Sequence, residues 1–78
     1  MRTATIETTH DDAALVAAAL APDNTSEMET TVEDGRVVTR IERETTSGLQ
    51  STVDDYVVNV GVAERVVQTA NQPTNHNT

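Results

Sequence analysis

The sequence predicts a small α+β domain in which two helices pack on one face of a three-stranded antiparallel sheet, in the order β-α-β-β-α. Three observations predict this fold. Residues 2–9 alternate apolar and polar side chains, as a half-buried strand does. Asp34-Gly35 joins two further alternating segments, which is typical of a two-residue type I′ hairpin. Residues 49–70 repeat apolar side chains at helical spacing.

The first strand and the first helix come at the start of the chain. Ala4 and Ile6 alternate with polar neighbours in the strand. Residues 13–21 then form a helix that is apolar all round, so we expect it to be buried on more than one side. Pro22 should end this helix, because proline disfavours helical backbone before it. The candidate N-caps are Thr9, His10 and Asp11, with acids in the positive first turn.

Both faces of the hairpin over residues 27–43 specify the same register. Pairing outward from the turn places three pairs on the inner face: Val32 with Val37, Thr30 with Thr39, and Met28 with Ile41. On the outer face it predicts cross-strand ion pairs of Glu33 with Arg36 and Glu29 with Arg40. A slip of one residue would spoil both faces. We expect the third strand to lie between the first and second, which leaves two strand edges open.

The last helix has two apolar rows. The row expected to face the core is Leu49, Val53, Tyr56, Val60, Ala63 and Val67. The second row, Val58, Val62 and Val66, lies roughly opposite and has no use in a domain with one core. Residues 56–63 also alternate like a strand, and Gly61 could break a helix, but the helical period persists beyond ordinary strand length. Ser47 or Ser51 is the expected cap, with Asp54 and Asp55 following as first-turn acids.

Length and composition limit the core. The 78 residues include one tyrosine and no phenylalanine, tryptophan or cysteine. We expect one domain over residues 1–70 and a polar, disordered tail over residues 71–78. A core this small is usually completed by oligomerisation or by a partner.

The chain is acidic, with a formal charge of -8, and all five of its bases are arginines. An acidic surface without lysine resembles that of proteins from salt-loving archaea; the alternative is an ordinary acidic protein. Such a chain is a poor electrostatic match for nucleic acid. The longest apolar run, residues 13–21, is too short to span a bilayer, and the N-terminus lacks the apolar segment of a signal peptide, so we expect a cytoplasmic protein without membrane contact.

No pattern of residues predicts catalysis, a metal or a cofactor. His10 and His76 lack partners at ligand spacing, and the glycines are isolated, so neither a metal site nor a phosphate loop is expected. Arg36, Arg40 and Arg43 lie along one strand and could face RNA. However, glutamates surround them and no aromatic side chain offers a stacking platform, which favours solvated ion pairs.

Two motifs carry a family resemblance. The first helix ends in Leu20-Ala21-Pro22-Asp23-Asn24, and the last helix contains Leu49-x-x-Thr52-x-x-Asp55-Tyr56. With the acidic hairpin between them, residues 2–67 resemble the Pcc-type small dimerisation subunit of the KEOPS complex. Gly61 and the valine-rich helix depart from relatives, which tend to carry larger aliphatic residues there.

The resemblance implies a fold, a function and partners. It implies homodimerisation into a continuous six-stranded sheet and no catalytic activity. It also implies a scaffold role in KEOPS: the helices would hold the ATP-binding catalytic synthase subunit while tRNA receives threonylcarbamoyladenosine. The chain would contact tRNA only through the complex. We expect the synthase interface to comprise Leu15, Ala18, Ala19, Val58, Val62 and Val66. The alternatives are a stand-alone KH-like RNA-binding domain, an unrelated homodimeric interaction module and, more remotely, a small acidic hydrolase.

Overall fold

The computed structural model describes residues 1–71 and contains the predicted three strands and two α-helices. The elements are β1 (Arg2–Thr9), α1 (Ala13–Leu20), β2 (Met28–Glu33), β3 (Arg36–Arg43) and α2 (Thr46–Asn71). The sheet is antiparallel with the order β1-β3-β2. The α+β fold and the central position of the third strand are therefore confirmed.

The hairpin has the predicted turn and register. Asp34 and Gly35 have φ of 49° and 77°, and a type I′ turn requires positive φ at both positions. β2 pairs with β3 residue for residue as expected, from Glu33 opposite Arg36 to Met28 opposite Ile41. Because the turn and the two faces all specify one alignment, a local sequence pattern is sufficient to fix it.

The ion pairs on the outer face of the sheet differ in part from the prediction. They are Arg36–Glu7 at 2.8 Å, Arg36–Glu33 at 4.0 Å and Arg40–Glu42 at 2.7 Å. Arg36 makes its shorter contact with β1 because β3 is central and has acidic neighbours on both sides. Arg40 contacts an acid on its own strand, so the predicted ion pair with Glu29 was wrong.

The first helix is capped by a residue that the sequence analysis did not propose as the cap. The Asp12 carboxylate accepts the backbone N–H of Leu15 at 3.2 Å, which makes Asp12 the N-cap. Thr9, His10 and Asp11 therefore do not cap it. The α-helix ends at Leu20, and Pro22 lies in a short 3-10 turn over Ala21–Asp23.

The second helix runs without interruption through Gly61, so neither the strand interpretation nor a break there is correct. It begins at Thr46, and the Thr45 hydroxyl accepts the N–H of Gly48 at 3.0 Å as the cap. The predicted caps, Ser47 and Ser51, are inside the helix. Asp54 and Asp55 were predicted to be acids of the first turn. They lie in the third turn, beyond the part of the helix where the N-terminal dipole stabilises acids. α2 also includes residue 71, whereas the rest of the predicted tail, residues 72–78, lies outside the described residues.

The core lies between the sheet and both helices. Its buried apolar residues are Ala13, Val16, Leu20, Val37, Ile41, Tyr56, Val60, Ala63 and Val67. The predicted inner row of α2 is confirmed, since four of its members are buried and the other two, Leu49 and Val53, pack against the core. Within residues 1–71, no helix is both long and apolar enough to cross a membrane.

Candidate functional site

The outer row of α2 presents three large apolar side chains to solvent. Val58, Val62 and Val66 are 64%, 56% and 57% exposed. The opposite side of the same helix carries the buried residues Tyr56, Val60, Ala63 and Val67. The valine row is therefore surplus to the core of this chain.

The first helix extends this apolar surface. Leu15 is 40% exposed, and Ala18 is also exposed beside it. Ala19 is half-buried and packs against the core, so the structure places it at the edge of the surface. We call the set Leu15, Ala18, Ala19, Val58, Val62 and Val66 the helix surface.

A groove between the two helices joins the two halves of the helix surface. It encloses about 150 Å³. Four apolar side chains line it: Ala19, Val62, Ala63 and Val66. Two polar residues complete the lining: Asp23, from the 3-10 turn, and Asn59, from α2. Sequence reasoning missed this groove, because no pattern within either helix indicates how closely the two helices approach.

A hydrogen-bond chain through the inner face of the sheet fixes α2 against the turn that follows α1. The Asn24 side-chain amide donates to the Thr30 hydroxyl at 3.0 Å. Thr30 shares a hydrogen bond with Thr39 at 2.8 Å, and Thr39 shares one with the Tyr56 phenol at 2.5 Å. Thr39 and Tyr56 are both buried. The Pro-Asp-Asn motif and the tyrosine of α2 are therefore the two ends of one polar chain.

The environment of Tyr56 keeps its phenol protonated. Burial raises the pKa of the Tyr56 phenol above its ordinary value, and the hydrogen bond to Thr39 only partly offsets this effect. Within residues 1–71 every buried polar side-chain atom has a hydrogen-bond partner. The polar chain therefore leaves no unpaired group in the core.

His10 forms a second polar bridge, between β1 and α2. Its imidazole is buried, with Nδ1 2.5 Å from Glu64 Oε2 and Nε2 2.7 Å from the Thr8 hydroxyl. Both ring nitrogens are therefore already in use. Over the described range 1–71, no cluster of three or more His, Cys, Asp or Glu side chains could hold a metal ion.

The strand arginines are paired within the chain. Arg36 and Arg40 contact glutamates on the face of the sheet that carries no helix. Arg43 lies on the other face, where it donates to the Thr52 hydroxyl at 2.6 Å and contacts Glu27 at 3.3 Å. The sequence favours solvated cross-strand ion pairs over an RNA-facing strip; Arg36 makes such a pair, whereas Arg40 pairs with an acid on its own strand.

One exposed valine was not singled out from the sequence. Val57 is 55% exposed, but at 3.6 residues per turn it points about 140° away from Val62. It therefore lies outside the helix surface, although its exposure is almost the same as that of Val62.

The chain is a small α+β domain with two helices on one face of a three-stranded sheet. Its helix surface is apolar and is left exposed by residues 1–71, which suits the domain to assembly with other proteins. Residues 3–68 match the sequence model of the family described as transcription factor Pcc1, and the chain belongs to this family. This is the family of the small, non-catalytic subunit of KEOPS. Membership supports a role for the chain as a small subunit related to this multi-subunit complex. The match confirms the resemblance seen in the two motifs. Among curated proteins, no significant match was found.

Proposed function

We propose that this chain is a scaffold subunit of KEOPS. It homodimerises and holds the ATP-binding catalytic synthase subunit while tRNA receives threonylcarbamoyladenosine. It contacts tRNA only through the complex. One observation carries the proposal. Val58, Val62 and Val66 are exposed in a row on a helix whose other side already fills the core. Their burial by a partner requires no rearrangement of this chain.

Burial of the helix surface by a partner is favourable because it removes apolar side chains from water. Full burial of a valine or leucine side chain contributes roughly 1.5–3 kcal/mol, so a partner that covers the helix surface gains several kcal/mol. Ala18 is exposed on the helix surface, and its small size permits close approach of a partner helix. A helix presenting a complementary apolar stripe is therefore the expected contact of the synthase subunit.

Replacement of Val62 tests this contact. Val62→Asp places a carboxylate inside the proposed interface, where it would be desolvated without a partner. We expect it to abolish co-purification of the synthase subunit. Val57→Asp is the matched control, because it makes the same change at the same exposure on another side of the same helix. Circular dichroism should show both variants folded.

Two outcomes would refute the proposed interface. One is normal retention of the synthase subunit by Val62→Asp. The other is equal loss of binding in Val62→Asp and Val57→Asp with both variants folded, because the effect would then not depend on the side of the helix.

Dimerisation is the second part of the proposal. β1 and β2 are the edges of the sheet, and each presents backbone groups that a second copy of the chain could pair with. Such pairing would produce a six-stranded sheet, and closed pairs are the commonest oligomers. Light scattering of the purified chain should therefore report a dimer; a well-folded monomer across a salt series would refute this part.

The free N–H groups of β2 can be assigned from its pairing. In antiparallel strands, successive N–H groups point alternately toward and away from the neighbouring strand. The N–H of Glu42 donates to the carbonyl of Glu27 at 3.0 Å, so odd-numbered residues on this side pair with β3. The N–H of Val32 therefore points away from β3. Val32→Pro should block pairing through β2 while keeping the hairpin hydrogen bonds.

The same reasoning assigns the edge of β1. The N–H of His10, just after β1, donates to the carbonyl of Gly35 at 3.0 Å, so even-numbered residues face β3. The N–H of Thr5 therefore points outward, and Thr5→Pro is the counterpart of Val32→Pro. We expect one of the two variants to be monomeric and the other to remain dimeric. If both folded variants remain dimeric, the dimer does not form through a strand edge.

A further inference from the structure

The groove between the helices is lined by four apolar residues and two polar ones. Its volume, about 150 Å³, is that of a cavity able to hold a benzene-sized group, so it admits one large side chain. Val62 and Val66 are shared between the groove and the helix surface. Whatever covers the helix surface therefore also covers the groove and must fill it.

The two polar residues at the groove offer hydrogen-bond acceptors. Among residues 1–71, neither the Asp23 carboxylate nor the Asn59 side chain has a hydrogen-bond or ion-pair partner. An ionised carboxylate only accepts hydrogen bonds, and the asparagine amide can turn its oxygen toward a donor. The groove is therefore suited to a group that is aliphatic along its stem and rich in donors at its end.

We propose that the groove receives one arginine side chain from the helix that docks on the helix surface. This inference rests on the proposed scaffold function and specifies its partner. The aliphatic stem of an arginine would lie against Val62 and Val66, and its guanidinium would reach Asp23 and Asn59. A guanidinium has five donors in a planar fork, so it can serve both acceptors at once, whereas a lysine ammonium acts as a single point charge.

The negative charge at the groove favours a basic side chain from the partner over an acidic or an apolar one. The two α-helices carry three acids and one base, the acids being Asp54, Asp55 and Glu64 and the base Arg65. Of these, Glu64 is paired with His10 on another side of α2, whereas Asp55 lies one turn before Asn59 on the side of the groove, and Asp23 is the charged residue that lines the groove itself. An acidic side chain would be repelled there, and an apolar side chain would desolvate Asp23 without pairing it. A basic side chain avoids both penalties and, unlike a neutral donor, also neutralises the charge of Asp23.

The test measures the affinity of the intact chain for the synthase subunit at several salt concentrations. Asp23→Asn should weaken binding about three- to tenfold and flatten its salt dependence, because a charged contact becomes neutral. Asp23→Lys should weaken it about thirtyfold or more through repulsion. Glu29→Lys is the matched control, because it makes the same kind of charge reversal on the face of the sheet that carries no helix. It should change affinity less than about twofold.

Two further variants keep the test decisive. Asn59→Leu removes the second acceptor without altering the 3-10 turn, and a loss of affinity there supports the proposal even if Asp23 variants fold poorly. Arginine-to-glutamate changes on the docking helix of the synthase subunit should include one that restores binding to Asp23→Lys.

The outcomes separate this inference from the proposed function. If Asp23→Lys and Asn59→Leu bind like Glu29→Lys while Val62→Asp still abolishes binding, the arginine contact is refuted and the scaffold function stands. If Val62→Asp binds normally, the docking surface is refuted and the groove proposal falls with it.

Discussion

The hydrogen bond between Thr39 and Tyr56 provides a quantitative test of how the sheet holds α2. The two hydroxyl oxygens are 2.5 Å apart, and both side chains are almost completely inaccessible to solvent. Tyr56→Phe removes one partner, and Thr39→Val removes the other with almost no change in shape. The double variant removes both hydroxyls and leaves neither unpaired.

The expected magnitudes follow from what each change leaves behind. After Tyr56→Phe, Thr39 keeps its hydrogen bond to Thr30, so the free energy of unfolding should fall by about 1 kcal/mol. After Thr39→Val, the Tyr56 hydroxyl is buried without a partner, which should cost about 2 kcal/mol. The double variant should also lose about 2 kcal/mol rather than the sum of about 3, a coupling of about 1 kcal/mol.

Urea unfolding of the four proteins at one salt concentration measures this coupling. A loss of 1 kcal/mol corresponds to roughly 4–8 °C in the melting temperature of a domain this size, so the differences are measurable. If the single losses add to the double loss, the two hydroxyls are independent in solution. The polar chain from Asn24 to Tyr56 would then not hold α2 in place.

Three other predictions concern the whole domain. Above pH about 10, the free energy of unfolding should fall as pH rises, because Tyr56, the chain's one tyrosine, loses its proton at lower pH when unfolded than when folded; Tyr56→Phe should lack this fall in an alkaline unfolding series. Gly61→Ala should raise the free energy of unfolding by about 0.5–1 kcal/mol in urea titrations, because an added Cβ meets nothing within 4 Å. Gly48→Ala should give no such gain, because its Cβ would lie 2.9 Å from the capping oxygen of Thr45. The melting temperature should rise as KCl approaches 1 M, where a Debye length of about 3 Å screens the repulsion within a chain of charge -8; a melting temperature independent of salt would contradict this.

Local patterns were sufficient for the elements of the fold. The Asp34-Gly35 turn and the two-residue period of its flanking strands specify one hairpin register, since any slip exposes the inner face. The inner row of α2 could be read in the same way, because a 3.6-residue period from Leu49 to Val67 is longer than an ordinary strand. These patterns also indicated that Val58, Val62 and Val66 would be left on the outer side of the helix.

Contacts between distant residues could not be read from such patterns. Arg36 pairs with Glu7 because β1 lies beside β3 in the sheet. His10 contacts Glu64, which is 54 positions later in the sequence. The caps were misassigned because several polar residues near each helix start can accept a backbone N–H, and the path of the chain decides between them.

The sequence by itself determined the element order, the hairpin register and the surplus of apolar side chains on α2, because each depends on periodicity within one segment. Only the tertiary structure decided that Ala19 lies at the edge of the core and that Asp23 and Asn59 meet at one groove. The physical reason is that the distance between two packed helices depends on side chains from both helices and from the sheet beneath them, which no single segment of the chain contains.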